Sequence, residues 1–431
     1  MSGKKPGSRA PVPFSAGWKP PLTVLLKRGK SKPFWLGHPW IFSGAIEKVD
    51  GEVGDIGNEC IVLDERKNPV GTGYYNPHGK IAVRLIEHRR TTDVEFEPLR
   101  PSELVRRRIP KALARRAALG LPSDSTNAYR LVNAEGDLLT GLVVDRLGSA
   151  LSLQLNSRMI YQQRDAIRRQ LFELTAGDGV DRIRVSVSET ASKLEAVPVM
   201  NEVYERGSKT PTISMGPVEI QENGIRYSVD LEAGQKTGFY VDQRENRRRF
   251  AALCRGQEVL DLYSYVGGFG ISAAKAGAKE VTSVDSSKPA ITQLVANAEL
   301  NGVSDKVTGV VADGVTFLKE SHAVGRRWTR IVCDPPKLAR GRSHLKDALK
   351  KYIRINTLAM SALEEDGLLL SCSCSQHVSD EAFLRVLTEA AHRLRRSVVV
   401  HAVWSQPGDH PALSVAPESR YLKAYLVSLA D

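Results

Sequence analysis

The chain reads as an α/β protein: a doubly wound parallel sheet at the C-terminal end, preceded by a small β-barrel and a central α+β domain. Three observations lead there. From Glu258 onward, apolar runs of strand length alternate with helical stretches, the rhythm of a parallel sheet with covered faces. Four of those runs end in loops rich in glycine, acid, proline or cysteine. The front of the chain instead breaks into short β-like runs punctuated by glycines. A length of 431 residues also exceeds one ordinary core, so two or three domains are expected.

Residues 1–21 are rich in Gly, Pro, Ser and Lys and read as a disordered basic tail. Residues 22–90 carry the runs Leu22–Leu26, Asn58–Leu63, Val70–Tyr75 and Ile81–Ile86, which suit a small barrel. Residues 91–204 form the α+β part. Leu104–Leu119 reads as a basic-faced helix that Pro110 would kink or split. Strands follow at Tyr129, Leu142–Asp145 and Ala150–Leu155, then a helix over Arg158–Leu174 and a strand over Ile183–Ser188. The polar stretch 205–212 reads as a linker, and 213–431 as the last domain. That domain opens on a hairpin, Val218–Val229, with Asn223-Gly224 as its turn. A helix over Gln243–Leu253 precedes the sheet, and Tyr421–Val427 supplies a closing strand.

The five cysteines are scattered, which suits reduced cytoplasmic thiols better than a disulfide framework. Their spacing offers no zinc site, and no metal is expected. No apolar run is long enough for a membrane span, and no apolar stretch follows the first lysines, so a signal peptide is not expected. The net charge of +12 points to a polyanionic partner. It is clustered at Lys27–Lys32, Arg106–Arg116, Arg247–Arg249 and Lys337–Arg354. Charge alone does not separate RNA from DNA.

The chemistry lies at the strand ends. Asp261 closes an apolar strand, and Gly267, Gly268 and Gly270 lead into a helix, where glycines let a ligand approach the backbone. Gly268-Phe-Gly270-Ile-Ser-Ala273 also fits a dinucleotide fingerprint, which keeps a nicotinamide enzyme as a rival. The long Tyr263–Val266 connection favours a mononucleoside cofactor instead. Asp285 ends the next strand and can accept both ribose hydroxyls of an adenosine group. Asp313 could meet the adenine edge or simply cap a helix. Asp334-Pro-Pro-Lys337 makes a stiff loop that can hold a carboxylate against a base. Ser371-Cys-Ser-Cys-Ser375 places a thiol at the rim. Carbon 5 of a pyrimidine is a poor nucleophile until a thiolate adds at carbon 6, and Cys374, further out than Cys372, is the candidate for that role. Cys254 and Cys333 lie in apolar runs and read as inert. His377 could assist proton transfer or be an ordinary surface histidine. The dense loop from Gly234 to Arg247 suggests cofactor or substrate contact.

These segments together resemble the RlmI-type large-subunit ribosomal RNA cytosine-5 methyltransferases. The resemblance rests on Gln235–Arg247, Asp261–Gly270, Asp334–Lys337 and Ser373-Cys-Ser375. It extends forward to Gly37-His-Pro-Trp-Ile-Phe-Ser43, Gly71-Thr-Gly-Tyr-Tyr-Asn76, Leu131–Asp137 and Gly141–Asp145, and back to Asp409–Leu413 and Pro417–Lys423. It implies a PUA domain, a central α+β domain and a Rossmann-like methyltransferase sheet. It implies S-adenosyl-L-methionine as cofactor, held by Gln235, Thr237, Phe239, Asp242, Arg244, Asp261, Tyr263, Gly267, Gly268, Gly270, Asp285, Asp313 and Asp334. Cys374 and Asp334 would be catalytic. Ribosomal RNA is the expected partner and the cytoplasm the expected location, with no membrane association and a homodimer left open. Other cytosine-5 RNA methylases carry a second cysteine after the two prolines, where this chain has Lys337. Guanine-N7 methylases share much of the scaffold. A purine-nitrogen methyltransferase and a non-catalytic RNA-binding protein are therefore the alternatives.

Overall fold

The alternation of Leu22–Leu26 becomes a strand whose Leu22, Val24 and Leu26 are buried while the residues between are not. A computed structural model of the protein describes residues 18–54, 58–89, 96–212, 216–231, 238–339 and 341–431. Most of the basic tail and the expected contacts Gln235 and Thr237 lie outside those residues. The described chain forms two compact units, one drawn from Met1–Leu119, Arg130–Met215 and Pro411–Ser419, the other from Gly120–Tyr129, Gly216–His410 and Arg420–Asp431. The front β-rich segment and most of the central segment thus share one unit.

In the first unit a six-stranded sheet runs in the order Trp40–Phe42, Ile81–His88, Pro69–Tyr75, Asn58–Leu63, Leu22–Leu26, Ile46–Asp50. Leu22, Val24, Leu26, Phe34, Ile41, Val62 and Val83 fill its core. A five-stranded sheet follows, ordered Met200–Glu205, Arg182–Val187, Ala150–Leu155, Leu142–Leu147, Ala128–Asn133. The helix expected to be kinked or split at Pro110 is one helix over Pro101–Ala118 with the proline inside it. Conversely, the single helix expected over Arg158–Leu174 is two, parted at Gln163, whose ψ of 4° departs from helical geometry. The strand Met200–Glu205 takes the first residue of the expected linker.

The second unit opens with the hairpin Pro217–Glu222 and Ile225–Asp230, and Asn223 and Gly224 take φ of 51° and 80° as a tight I′ turn requires. Its main sheet comprises β1 (Glu258–Leu262), β2 (Glu280–Asp285), β3 (Val307–Val311), β4 (Trp328–Cys333), β5 (Leu363–Ser373), β6 (Ser397–Trp404) and β7 (Lys423–Ala430), in the order β3-β2-β1-β4-β5-β7-β6. The helices are α1 (Arg244–Ala251), α2 (Gly268–Lys275), α3 (Lys288–Leu300), α4 (Gly314–Ala323), α5 (Leu345–Ser361) and α6 (Asp380–His392). The sheet is not wholly parallel: β7 runs antiparallel to both β5 and β6. The sequence reading missed β6, whose period-two pattern is blurred by a bulge between Val400 and Ala402. Leu260, Leu262, Ile331, Leu369 and Val427 from the sheet pack with Tyr352, Ala359, Phe383 and Leu387 from α5 and α6.

Register is what builds the site. Leu262 pairs with Val284 on one side and Cys333 on the other, and Cys333 pairs with Ser371. Parallel strands in that register bring the loops after β1, β2, β4 and β5 out at one end of the sheet, where ligands bind in open α/β folds.

Candidate active site

The loop after β1 is held from below by Asp261. Its buried Oδ2 accepts a hydrogen bond from the Gly270 N–H at 2.8 Å, tying the first turn of α2 to the strand. A Cβ at Gly270 would collide with Ser283 Oγ, so glycine is a packing requirement there. Gly267 caps α2 at φ +90°, a left-handed conformation glycine adopts without strain. Tyr263 and Tyr265 adopt φ of 64° and 49°. Such a backbone costs about 1–3 kcal/mol per residue and persists only where the surroundings enforce it. Here Asp285 Oδ2 accepts from the Tyr265 N–H at 3.0 Å, and the Tyr265 hydroxyl donates to the Gly238 carbonyl at 3.1 Å. Burial pushes the Asp261 carboxyl up to about 7. The Gly270 N–H opposes that shift, while Asp334 and Asp285 add to it.

Asp285 also accepts from the Ser287 N–H through Oδ1 at 2.9 Å, so both oxygens are oriented and each retains a lone pair for a hydroxyl. Asp334 follows β4. Its Oδ2 accepts from Gln243 Nε2 at 2.9 Å, and Gln243 Oε1 accepts from Asn246 Nδ2 at 2.7 Å. The second bond fixes which end of the Gln243 amide faces Asp334. Pro335 and Pro336 then carry the chain past the opening.

The Ser-Cys-Ser-Cys-Ser run obeys the two-residue period of a strand. Ser371, Ser373 and Ser375 are fully buried. Ser371 Oγ donates to Asn356 Oδ1 at 2.5 Å and Ser373 Oγ to the Tyr352 hydroxyl at 3.0 Å, while the Tyr352 hydroxyl and Ser375 Oγ lie 3.2 Å apart. Three hydroxyls thus pin the strand end to α5. Cys372 and Cys374 alternate with them; Cys372 is buried and Cys374 is half-exposed. Burial raises the Cys372 thiol well above its ordinary range, and it also raises Cys333 and Cys60, with Cys254 pushed up to about 12. From β7, the buried Lys423 donates to the Ser375 carbonyl at 3.1 Å and the Tyr421 carbonyl at 2.8 Å, which brings a cation beside the cysteine loop. Burial lowers its pKa, and Asp380 and Cys374 oppose that shift.

These loops enclose a cavity of about 400 Å³, within the ordinary range for small-molecule sites. Among the expected residues, Phe239, Asp242, Tyr263, Gly268, Asp285, Asp334 and Cys374 line it. Asp261, Gly267 and Gly270 lie beneath the lining as its supports. Arg244 is turned into a buried bidentate pair with Asp409, at 2.9 Å for both contacts. Asp313 is a helix cap: its Oδ1 accepts from the Thr316 N–H at 3.0 Å, and it does not line the cavity. His377 is exposed. Sequence reasoning did not single out Tyr240, Gln243 and Lys423. The first two sat in a loop flagged by its polar density, without a signal to rank its members. Lys423 was one cation among many.

The residues present fit an adenosine-bearing cofactor. Ser264 Oγ lines the cavity, is buried, and has no hydrogen-bond partner among the described residues. A polar ligand group would satisfy it. Asp285 stands on the same side of the opening with acceptors to spare. Arg247, paired bidentately with Glu222 at 2.6 and 2.7 Å, lies over the Phe239 ring at 4.7 Å and closes the floor.

Comparison with known proteins agrees with this geometry. Residues 24–88 match the family model of PUA-like domains, and residues 139–426 that of S-adenosylmethionine-dependent methyltransferases. Ribosomal RNA large subunit methyltransferase I of Photobacterium profundum is 33% identical over 94% of this chain and 98% of its own. The protein of the same name from Shewanella frigidimarina is 35% identical over 93% of this chain and 98% of its own. Among solved structures, a methyltransferase complexed with SAH has a TM-score of 0.78 at 22% identity, covering 94% of this chain and 99% of that one. A SAM-dependent methyltransferase from Streptococcus mutans reaches 0.76 at 20% identity, with coverage of 94% and 99%. At these identities the structural likeness speaks for the fold.

Proposed function

The chain belongs to the ribosomal RNA large subunit methyltransferase I family of S-adenosylmethionine-dependent methyltransferases, and on that premise we propose that it methylates carbon 5 of a cytosine in large-subunit ribosomal RNA through a covalent adduct at Cys374. The observation that carries this reading is the pinning of Ser373 and Ser375 to α5, which leaves Cys374 as the half-exposed thiol on the wall of the cavity that Asp334 also lines. An enzyme that alkylates a purine nitrogen has no need of a thiol held there.

Asp285, Ser264 and the Gly268 backbone would hold S-adenosylmethionine, which would supply an electrophilic methyl group. Cys374 Sγ forms a bond to C6 of a cytosine swung out of its stack, and the displaced electron pair makes C5 nucleophilic. Asp334, oriented by Gln243, holds the N3–N4 edge of the base, and a proton shared between its carboxyl and N3 offsets the charge that addition develops. C5 would take the methyl group as its bond to the cofactor sulfur breaks, leaving S-adenosylhomocysteine. The C5 proton then passes to water, and the electron pair of its C–H bond restores the C5–C6 double bond and expels the thiolate. The net charge of +12 and the PUA-like domain support an RNA partner. A ribosomal RNA substrate implies a cytoplasmic enzyme; among the described residues no helix is long and apolar enough to cross a membrane.

The test is nucleoside mass spectrometry of ribosomal RNA incubated with labelled cofactor. The wild type should yield labelled 5-methylcytidine, Cys374→Ala none, and Cys372→Ala most of it. Label in a methylated guanosine that survives Cys374→Ala would overturn the assignment.

A further inference from the structure

Helix α5 has two working faces. Its inner face carries Tyr352 and Asn356, which pin the strand end around Cys374. Its outer face carries Lys346, Lys350, Lys351 and Arg354, all exposed. Lys346, Lys350 and Arg354 recur every four residues and so form one stripe, about 12 Å long at the rise of an α-helix. Asp347 is the one acid on this helix.

Three exposed arginines on or beside other helices of this unit are neutralised in place. Arg385 pairs with Glu381, Arg393 with Glu389 and Arg248 with Glu245, each three or four residues away. On α5, none of the four cations has an ion pair among the described residues. A like-charged stripe without counter-charges repels itself along the helix, by a few tenths of a kcal/mol per pair. Solubility alone is served as well by the paired pattern seen elsewhere.

The helix also follows directly on the loop that forms one side of the opening. Lys337, exposed, lines the cavity mouth. The Ala339 N–H then donates to Ser375 Oγ at 3.3 Å, which ties the segment leading into α5 to the cysteine loop.

We propose that the outer face of α5 is a phosphate rail, binding the RNA backbone next to the nucleotide whose base enters the cavity. This rests on the RNA reading above and assigns it a surface within the methyltransferase unit itself. The partner is recognised by its phosphodiester charge rather than by base identity. The rail lies on the helix whose inner face holds Ser373 and Ser375, the residues flanking Cys374, so backbone docking and placement of the thiol are built on the same rigid element.

The experiment is the salt dependence of binding of a fluorescein-labelled RNA hairpin to the full chain, read by anisotropy. Replacing Lys346, Lys350, Lys351 and Arg354 together by Gln should make the slope of log K against log salt shallower by about 3, at 0.7–0.9 for each phosphate no longer neutralised. Lys350→Gln alone should remove about 0.7–0.9 of that slope. Binding of S-adenosylmethionine by the fourfold variant should match the wild type, which also shows that it is folded. Replacing the ion-paired Arg385 and Arg393 by Gln should leave the slope unchanged. A wild-type slope retained in the fourfold variant overturns the rail, as does an equal loss from the Arg385 and Arg393 control. A wild type whose RNA binding does not depend on salt instead overturns the RNA reading on which the rail stands.

Discussion

Tyr352→Phe removes one oxygen from the interior and bears directly on the thiol. The Tyr352 hydroxyl accepts from Ser373 Oγ at 3.0 Å and lies 3.2 Å from Ser375 Oγ, so it bridges the two residues flanking Cys374. All three side chains are fully buried. Ser375 keeps the Ala339 N–H as a donor, whereas Ser373 loses the acceptor its hydroxyl uses. An unsatisfied buried hydroxyl costs about 1–3 kcal/mol. In a unit of this size that lowers Tm by roughly 2–4 °C per kcal/mol, so a drop of several degrees is expected. The strand end also gains freedom, and placement errors near 1 Å can cost about 100-fold in rate. The assay pairs thermal unfolding with single-turnover methyl transfer at saturating cofactor. The prediction is a modest fall in Tm, a larger fall in the chemical rate, and unchanged cofactor affinity. An unchanged single-turnover rate would refute the idea that the serine–tyrosine network positions the thiol.

Two further perturbations probe the supports of the cavity. Arg244→Ala takes the bidentate partner from Asp409, which is fully buried, and leaves His410 beside it; breaking such a pair costs about 3–5 kcal/mol, so unfolding should shift by at least about 6 °C. Arg244→Ala with Asp409→Ala should be milder than the single change, and a double variant less stable than the single would contradict the pairing. Asp261 gives a pH signature. Its carboxyl is raised to about 7 chiefly by burial, so the folded state keeps a proton that the unfolded state loses above about 4. Its stabilising contribution is full below that value, declines as pH rises and is gone above about 7. The Tm of the wild type should therefore fall relative to Asp261→Asn between pH 4 and 7, and parallel curves would contradict it.

The strand-end motifs were legible because each carried its own local signal: a glycine run, a double proline, an alternating Ser-Cys repeat. Parallel pairing then did what the motifs alone could not show, bringing Leu262, Asp285, Cys333 and Ser373 to one edge. Asp313, read either as an adenine contact or as a cap, does cap a helix, and Arg244, expected at the cofactor, pairs with Asp409 and lies outside the cavity lining. The positioning residues were invisible for a physical reason. Tyr352 and Asn356 are distant in sequence from the serines they hold and look like ordinary helix residues until the register of α5 against β5 is known. Lys423 needs the antiparallel turn-back of β7 to reach the cysteine loop. The same holds for β6, whose bulge hides its period, and for the helix through Pro110, whose neighbours Ile109 and Ala112 are buried on either side of the proline.

Covalent trapping addresses the chemistry most directly. RNA in which the target cytosine is replaced by 5-fluorocytosine can accept the thiolate and the methyl group, but the fluorine cannot leave as a proton does, so the enzyme should stay attached. Wild type and Cys372→Ala should each form a protein–RNA species that survives denaturing electrophoresis, dependent on S-adenosylmethionine, and peptide mapping should find the cross-link on Cys374. The same species formed by Cys374→Ala, or no denaturant-resistant species from a wild type that still methylates the unmodified RNA, would contradict attack by Cys374 on the pyrimidine ring.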